Sequence, residues 1–304
     1  TLAASTQVTV TANNLTEAGV IDDGVSTFGI TKAGAGILEL GAINTYGGGT
    51  AINQGILKFT VNQALTATTN TLTFGSAAGT TVGSLDLSTA SAIFGGAMVV
   101  QTNSASANTI TIGSGQTLRL NGGVTVGAAT GPTTTRLTVS GAGTLTIGAA
   151  GAPTNANVQL GNSATSNQSN AATWDLTGLS TFYVNLGSGT FRVGDPTNSS
   201  GAGTAGSTLN LAPNSTIIAT TITSDSPANT FTQAIKLGTG TKTVTARKRR
   251  HVRVRKKVSG TPARPRTSPT HGHDLVTWPA RVTVTVREVV ATSPSSSVMR
   301  SVTA

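Results

Sequence analysis

The chain has 304 residues, only 10% of them charged, and no Cys. Globular chains ordinarily carry about 25% charged residues. This composition excludes disulfide staples, thiolate metal sites and the charge-driven kind of disorder. The formal charge of +10 suggests a nucleic-acid binder, but it is unevenly placed: residues 1–246 hold 7 basic and 8 acidic residues (net −1), and residues 247–304 hold 13 and 2 (net +11).

Thr accounts for 57 residues, 49 of them before residue 246. Thr and Val favour a pleated surface, and long Leu/Glu/Lys-rich helical stretches are missing. No run of 18 apolar residues is present, so no transmembrane helix is expected. The sequence starts at Thr1 with nothing resembling a signal peptide, which reads as a processed chain or a fragment.

Along residues 1–246 a short unit recurs with apolar residues at its second and fourth places. It runs Ile37-Leu38-Glu39-Leu40, Ile56-Leu57-Lys58-Phe59, Thr71-Leu72-Thr73-Phe74, Ser84-Leu85-Asp86-Leu87, Thr109-Ile110-Thr111-Ile112 and Thr117-Leu118-Arg119-Leu120. Arg136-Leu137-Thr138-Val139, Thr144-Leu145-Thr146-Ile147 and Thr208-Leu209-Asn210-Leu211 continue it. Period 2 puts the apolar pair on one face of a strand and the polar residues on the other. Nineteen residues separate Leu38 from Leu57, and Leu118 from Leu137; the pair of units at 109–120 recurs 27 residues later at 136–147. Repeats of this length, each too small to bury its own apolar face, indicate a solenoid.

The expected fold is all-β, a right-handed parallel β-helix (solenoid) over residues 1–246, followed by a basic C-terminal tail at 247–304 that is disordered or not native. Ten to twelve coils of roughly 20–25 residues would give a rod on the order of 50 Å. A β-sandwich is the competing architecture, since strands every 8–12 residues also suit one. Residues 155–170 and 198–206 read as loops projecting from one face. Thr173-Trp174-Asp175-Leu176 and Thr181-Phe182-Tyr183-Val184 read as an aromatic rung, with core packing preferred over a sugar-binding platform.

Residues 30–59 read ITKAGAGILELGAINTYGGGTAINQGILKF. Gly34, Gly36, Gly47, Gly48 and Gly49 suit tight corners, and Asn44 suits a left-handed turn that it hydrogen-bonds itself. Leu38, Leu40, Ile52, Leu57 and Phe59 alternate as an interior face, and Tyr46 is expected to cover a corner with its hydroxyl in water. This stretch closely resembles the passenger-associated repeat of bacterial autotransporters. The residues that carry the likeness are Thr31, Lys32, Gly34, Gly36, Leu38 and Leu40, then Asn44, Thr45, Tyr46, Gly48, Gly49 and Thr50, then Ile52, Gly55 and Leu57. Ile30 and Ile37 depart from that family's Leu and Thr.

The resemblance implies a scaffold, part of a β-helical passenger carried across a Gram-negative outer membrane. There it aids translocation and folding and forms a stalk for display. It implies an extracellular or cell-surface location, with surface glycans or proteins and the translocation machinery as partners. No membrane β-barrel follows in the sequence, so the resemblance leaves a fragment or a different export route.

No catalytic, cofactor-binding or metal residue is assigned. The acids of residues 1–246 are Glu17, Asp22, Asp23, Glu39, Asp86, Asp175, Asp195 and Asp225, spread over unlike segments, with Asp22-Asp23 read as solvated. Asp195-Pro196-Thr197-Asn198 reads as a turn, and His271-Gly272-His273-Asp274 as a solvated loop. A polysaccharide-binding or polysaccharide-cleaving β-helix is the alternative; it requires at least three carboxylates or an Arg converging in one groove.

In the tail, RKRRHVRVRKK at 247–257 has the make-up of a phosphate-neutralising arm. Residues 281–290 could add one more strand. Gly falls from 35 before residue 247 to 2 after it, while Arg, Pro and His rise together. That change is the pattern left by reading Gly/Thr/Asn codons one base out of frame, and it is preferred here over a nucleic-acid role.

Overall fold

The computed structural model describes residues 1–76, 79–127, 133–161, 170–194, 206–223, 234–236, 241–252 and 276–286. Its strands form three sheets, two of nine strands and one of eight. The chain visits the sheets in turn. In one coil it runs through Leu72–Phe74 in the first sheet, Gly83–Leu87 in the second and Ala92–Phe94 in the third, and then enters Met98–Val100 beside its starting strand. Apart from the final strand and one isolated bridge, every strand pairing among the described residues is parallel. That is a parallel β-helix; a sandwich would be built from antiparallel neighbours.

The period-2 units are strands, and their second and fourth residues are interior. Leu38, Leu40, Leu57, Phe59, Leu72, Phe74, Leu85, Leu87, Ile110, Ile112, Leu118, Leu120, Leu137, Val139, Leu145, Ile147, Leu209 and Leu211 are all buried. Register aligns them into stacks such as Leu38–Leu57–Leu85–Ile110–Val139 in the second sheet. Each buried Leu or Ile contributes about 1.5–3 kcal/mol relative to exposure, which a single coil could not collect alone.

Coil number and length depart from the expectation. Among the described residues there are nine coils against the ten to twelve expected, because the coils lengthen along the chain. Ile30 pairs with Thr50 (20 residues on), Leu72 with Met98 (26) and Val124 with Val158 (34). At about 4.8 Å per rung the stack is roughly 40 Å long. The first growth lies between the first and second sheets, where two residues separate Thr50–Ile52 from Gly55–Phe59 and seven separate Met98–Val100 from Asn108–Ile112; the later growth lies between the third and first, where three residues separate Thr117–Leu120 from Val124–Val126 and ten separate Thr144–Ile147 from Val158–Leu160.

Of the two 19-residue spacings, Leu38 to Leu57 is a true rung, whereas Leu118 and Leu137 lie in different sheets. The 27-residue recurrence holds in the third sheet (Leu118 with Leu145) but becomes 29 in the second (Thr109 with Thr138). A shift of two keeps every side chain on its face, so the sequence repeat and the register can differ without disturbing the core.

Residues 155–170 are not wholly the projecting loop that their composition suggests. Val158–Leu160 within them is a strand of the first sheet, because Val158 and Leu160 fill the interior columns of Val124 and Val126. Residues 162–169 and 198–205 lie outside the described residues. Trp174 and Phe182 are interior and meet edge-to-face at 5.5 Å, as core packing predicts.

In the tail, Lys242–Val252 is a strand whose pairing with the solenoid ends at Ala246, and Val276–Val286 pairs antiparallel with it. Residues 253–275 and 287–304, including His271 and His273, lie outside the described residues.

Candidate functional site

The densest polar construction sits where residues 30–59 form the second coil and the start of the third. Lys32 occupies an interior position in the column Val8–Lys32–Ile52–Phe74, otherwise apolar, and is fully buried. Its Nζ donates to the carbonyl oxygens of Ala33 (2.9 Å), Gly34 (2.7 Å) and Gln54 (3.0 Å). An ammonium has three donors and all three are used. No carboxylate reaches it among the described residues. Burial lowers its pKa from the ordinary 10.5.

The cradle around that ammonium requires glycine. Gly34 and Gly55 have φ of 76° and 73°. A Cβ at Gly55 would lie 2.4 Å from the Gly34 carbonyl oxygen and 2.5 Å from that of Gly36. Lys32, Gly34, Gly36 and Gly55 are therefore one device, a corner in which an internal cation joins two successive coils.

The opposite corner, Asn44 to Thr50, is held by side chains in place of a strand. Asn44 is buried, accepts from the Ile21 N–H of the coil before (2.8 Å) and donates through Nδ2 to Ala42 O (3.0 Å). Its own N–H donates to Oε1 of buried Gln63 in the coil after (3.0 Å). Asn44 does bond within its own turn, but it is not among the positive-φ residues; its main work is to bridge three coils.

Buried Asp23 accepts from Phe28 N–H (2.8 Å) and Gly47 N–H (2.9 Å), and Asn70 Nδ2 donates to Tyr46 O and Gly48 O (2.8 Å each). Two expectations fail here for one reason. Composition and turn chemistry put Asp23 and the Tyr46 hydroxyl in water, but the corner supplies partners that let both be interior. The Tyr46 hydroxyl shares a 2.7 Å hydrogen bond with Thr50 Oγ1, and burial raises its pKa, with the Thr50 bond opposing.

These side chains span the side of the first two coils on which the third sheet has not begun; its first strand is Gln63–Leu65. Sequence reasoning found Lys32, Asn44 and the glycines but missed Asp23, Gln63 and Asn70. Their only sequence signal is position about one coil before or after the motif.

Glu39, Lys58 and Asp86, on the outer face of the second sheet, share one column. Lys58 Nζ lies 3.0 Å from Glu39 Oε2, both partly exposed, and Asp86 accepts from Ser88 N–H (2.8 Å). The acids are thus less scattered than they looked. The column alternates in sign, and Asp175 stands in the neighbouring one, aligned with Thr138. Glu17 and Asp22 are at the N-terminal coil, and Asp195 and Asp225 lie outside the described residues. Among the described residues no group of three or more His, Asp or Glu could hold a metal ion.

Residues 30–59 match the family model of the passenger-associated-transport-repeat, 30 of the chain's 304 residues. They are the residues of the two corners just described. No curated protein and no solved structure matches the chain. Among the described residues no helix is long and apolar enough to cross a membrane.

Proposed function

We propose that the chain is a non-enzymatic scaffold segment of a secreted, surface-displayed passenger, serving as stalk and adhesive surface at the outside of a Gram-negative cell. The observation that carries this is the match at residues 30–59, together with the use made of its residues. Lys32, Gly34, Gly55, Asn44, Tyr46 and Thr50 are all spent on joining one coil to the next. Side chains that tie each coil to the coil before and the coil after let coils lock on one at a time, in chain order, which suits folding as a chain emerges from a pore. Partners would meet the outer faces, rich in Thr hydroxyls; surface glycans and proteins are the proposed class.

The test is export. The chain is placed between a signal peptide and an outer-membrane β-barrel, and surface protease digestion of intact cells is measured. The expected result is a folded, protease-resistant product on the outside, reduced several-fold by Gly55→Val. Retention of the unaltered chain inside the cell would overturn the proposal.

A further inference from the structure

Asn121, Gly122 and Gly123 form the corner that joins Thr117–Leu120 of the third sheet to Val124–Val126 of the first. Asn121-Gly122 is the one Asn-Gly pair in the sequence. The fold demands that glycine: a Cβ at Gly122 would lie 2.5 Å from the carbonyl carbon and oxygen of Gly96 in the coil before. Close stacking therefore sets beside Asn121 a peptide nitrogen that no side chain shields.

The hydrogen bonds at this corner leave the amide poised. Arg119 Nε donates to Asn121 Oδ1 (2.8 Å), so a cation's donor polarises the Cγ carbonyl. Asn121 Nδ2 and the Gly122 N–H have no hydrogen-bond partner among the described residues. The Asn121 N–H donates to Phe94 O (2.9 Å), which keeps the residue in its rung. Its neighbours along the stack are Gly95 and Gly148, one place beyond the aligned Phe94, Leu120 and Ile147. No side chain crowds the carboxamide from either coil, and Asn121 and Gly122 are both partly exposed to water.

An unbonded nitrogen next in the chain, a polarised carbonyl, a leaving nitrogen that nothing holds and access to water are the requirements of intramolecular imide formation. We propose that Asn121 is a self-modification site. The Gly122 nitrogen bonds to Asn121 Cγ, the Cγ–Nδ2 bond breaks, and Nδ2 departs as ammonia with the proton lost from Gly122. Water then adds to either carbonyl of the cyclic imide, and the ring opens to aspartate or isoaspartate. Arg119 stabilises the oxyanion that forms on Oδ1 during the attack. The aspartate product sets a carboxylate against the Arg119 guanidinium. The isoaspartate product lengthens the main chain by one carbon at a corner between two sheets.

Asn185, in the same column beyond Gly148, is an internal control. Leu186 follows it, its Nδ2 donates to Ala149 O (2.9 Å) and its Oδ1 accepts from Gly187 N–H (3.3 Å).

The full chain, folded in neutral buffer, is sampled over time by peptide mapping with mass spectrometry, and isoaspartate is counted by enzymatic methylation. Asn121 is expected to convert while Asn185 stays intact. Arg119 faces outward, so Arg119→Met spares the core; it should slow conversion of the folded chain roughly three- to tenfold. That is less than an enclosed oxyanion donor gives, because this one is partly in water. In urea, where the corner is undone, the two chains should convert equally. Mere loosening of the corner by the substitution has the opposite sign, since a freer chain closes the imide more readily. An Asn121 that stays intact overturns the inference. So does folded Arg119→Met converting as fast as the unaltered chain or faster, or a difference that persists in urea. None of these readouts depends on export, so this inference and the proposed function can fail separately.

Discussion

Lys32 is the residue whose environment departs furthest from its type. A buried ammonium without a carboxylate persists here because three carbonyl oxygens take the place of water. Lys32→Met should cost about 2–4 kcal/mol in urea unfolding, since it strands those acceptors as well as removing their donor. The pH dependence follows from the two shifts. Lys32 is lowered from 10.5, so between its folded and unfolded values the unfolded chain binds more protons, and stability rises with pH up to about 10.5. Tyr46 is raised from 10.0, so above about pH 10 the unfolded chain alone loses that proton and stability falls. Unfolding free energies taken across this range should show both limbs: Lys32→Met flattens the first and Tyr46→Phe the second. Lys32 was legible as a motif residue. Its burial was not, because nothing local in Ile30-Thr31-Lys32 distinguishes an inward from an outward lysine.

At the scale of strands and corners, two glycines with similar φ separate strain from space. Gly55 has φ 73° and carbonyl oxygens where its Cβ would be; Gly115 has φ 78° and nothing within 4 Å. Gly115→Ala should cost about 1–2 kcal/mol for the left-handed backbone alone. Gly55→Ala should cost at least twice that by thermal or urea unfolding, because the neighbouring coil must move aside. The outer pair Glu39–Lys58 is partly exposed, and Glu39→Gln should cost less than about 1 kcal/mol. Strand positions and their inner faces were readable from Leu and Ile at alternate places. Sheet membership was not: a unit such as Thr144-Leu145-Thr146-Ile147 presents the same pattern on any of the three sides.

For the whole molecule, a stack of coils has its stability distributed along its axis, since each coil is held mainly by its neighbours. Amide exchange should be fastest in the one-sided strands Thr6–Thr9 and Asn14–Glu17. It should be slowest in doubly paired interior strands such as Gly83–Leu87 and Asn108–Ile112. The charge asymmetry noticed in the composition has a spatial counterpart, with acidic residues in the first coil and basic ones on the last strands.

Low charge, abundant Thr and Gly, and strict alternation were sufficient to determine an all-β chain, its strands and their interior residues. Each of these depends on neighbours one to four places apart, a range over which side-chain direction is set by the backbone period. The number of coils, the sheet that each strand joins, the two-residue slip at Thr109, and the burial of Lys32, Asp23 and Tyr46 were decided only by tertiary structure. Those features depend on partners 20–34 residues away, and corner length chooses the partner. Alternation survives any even change in corner length, so it carries no record of the choice.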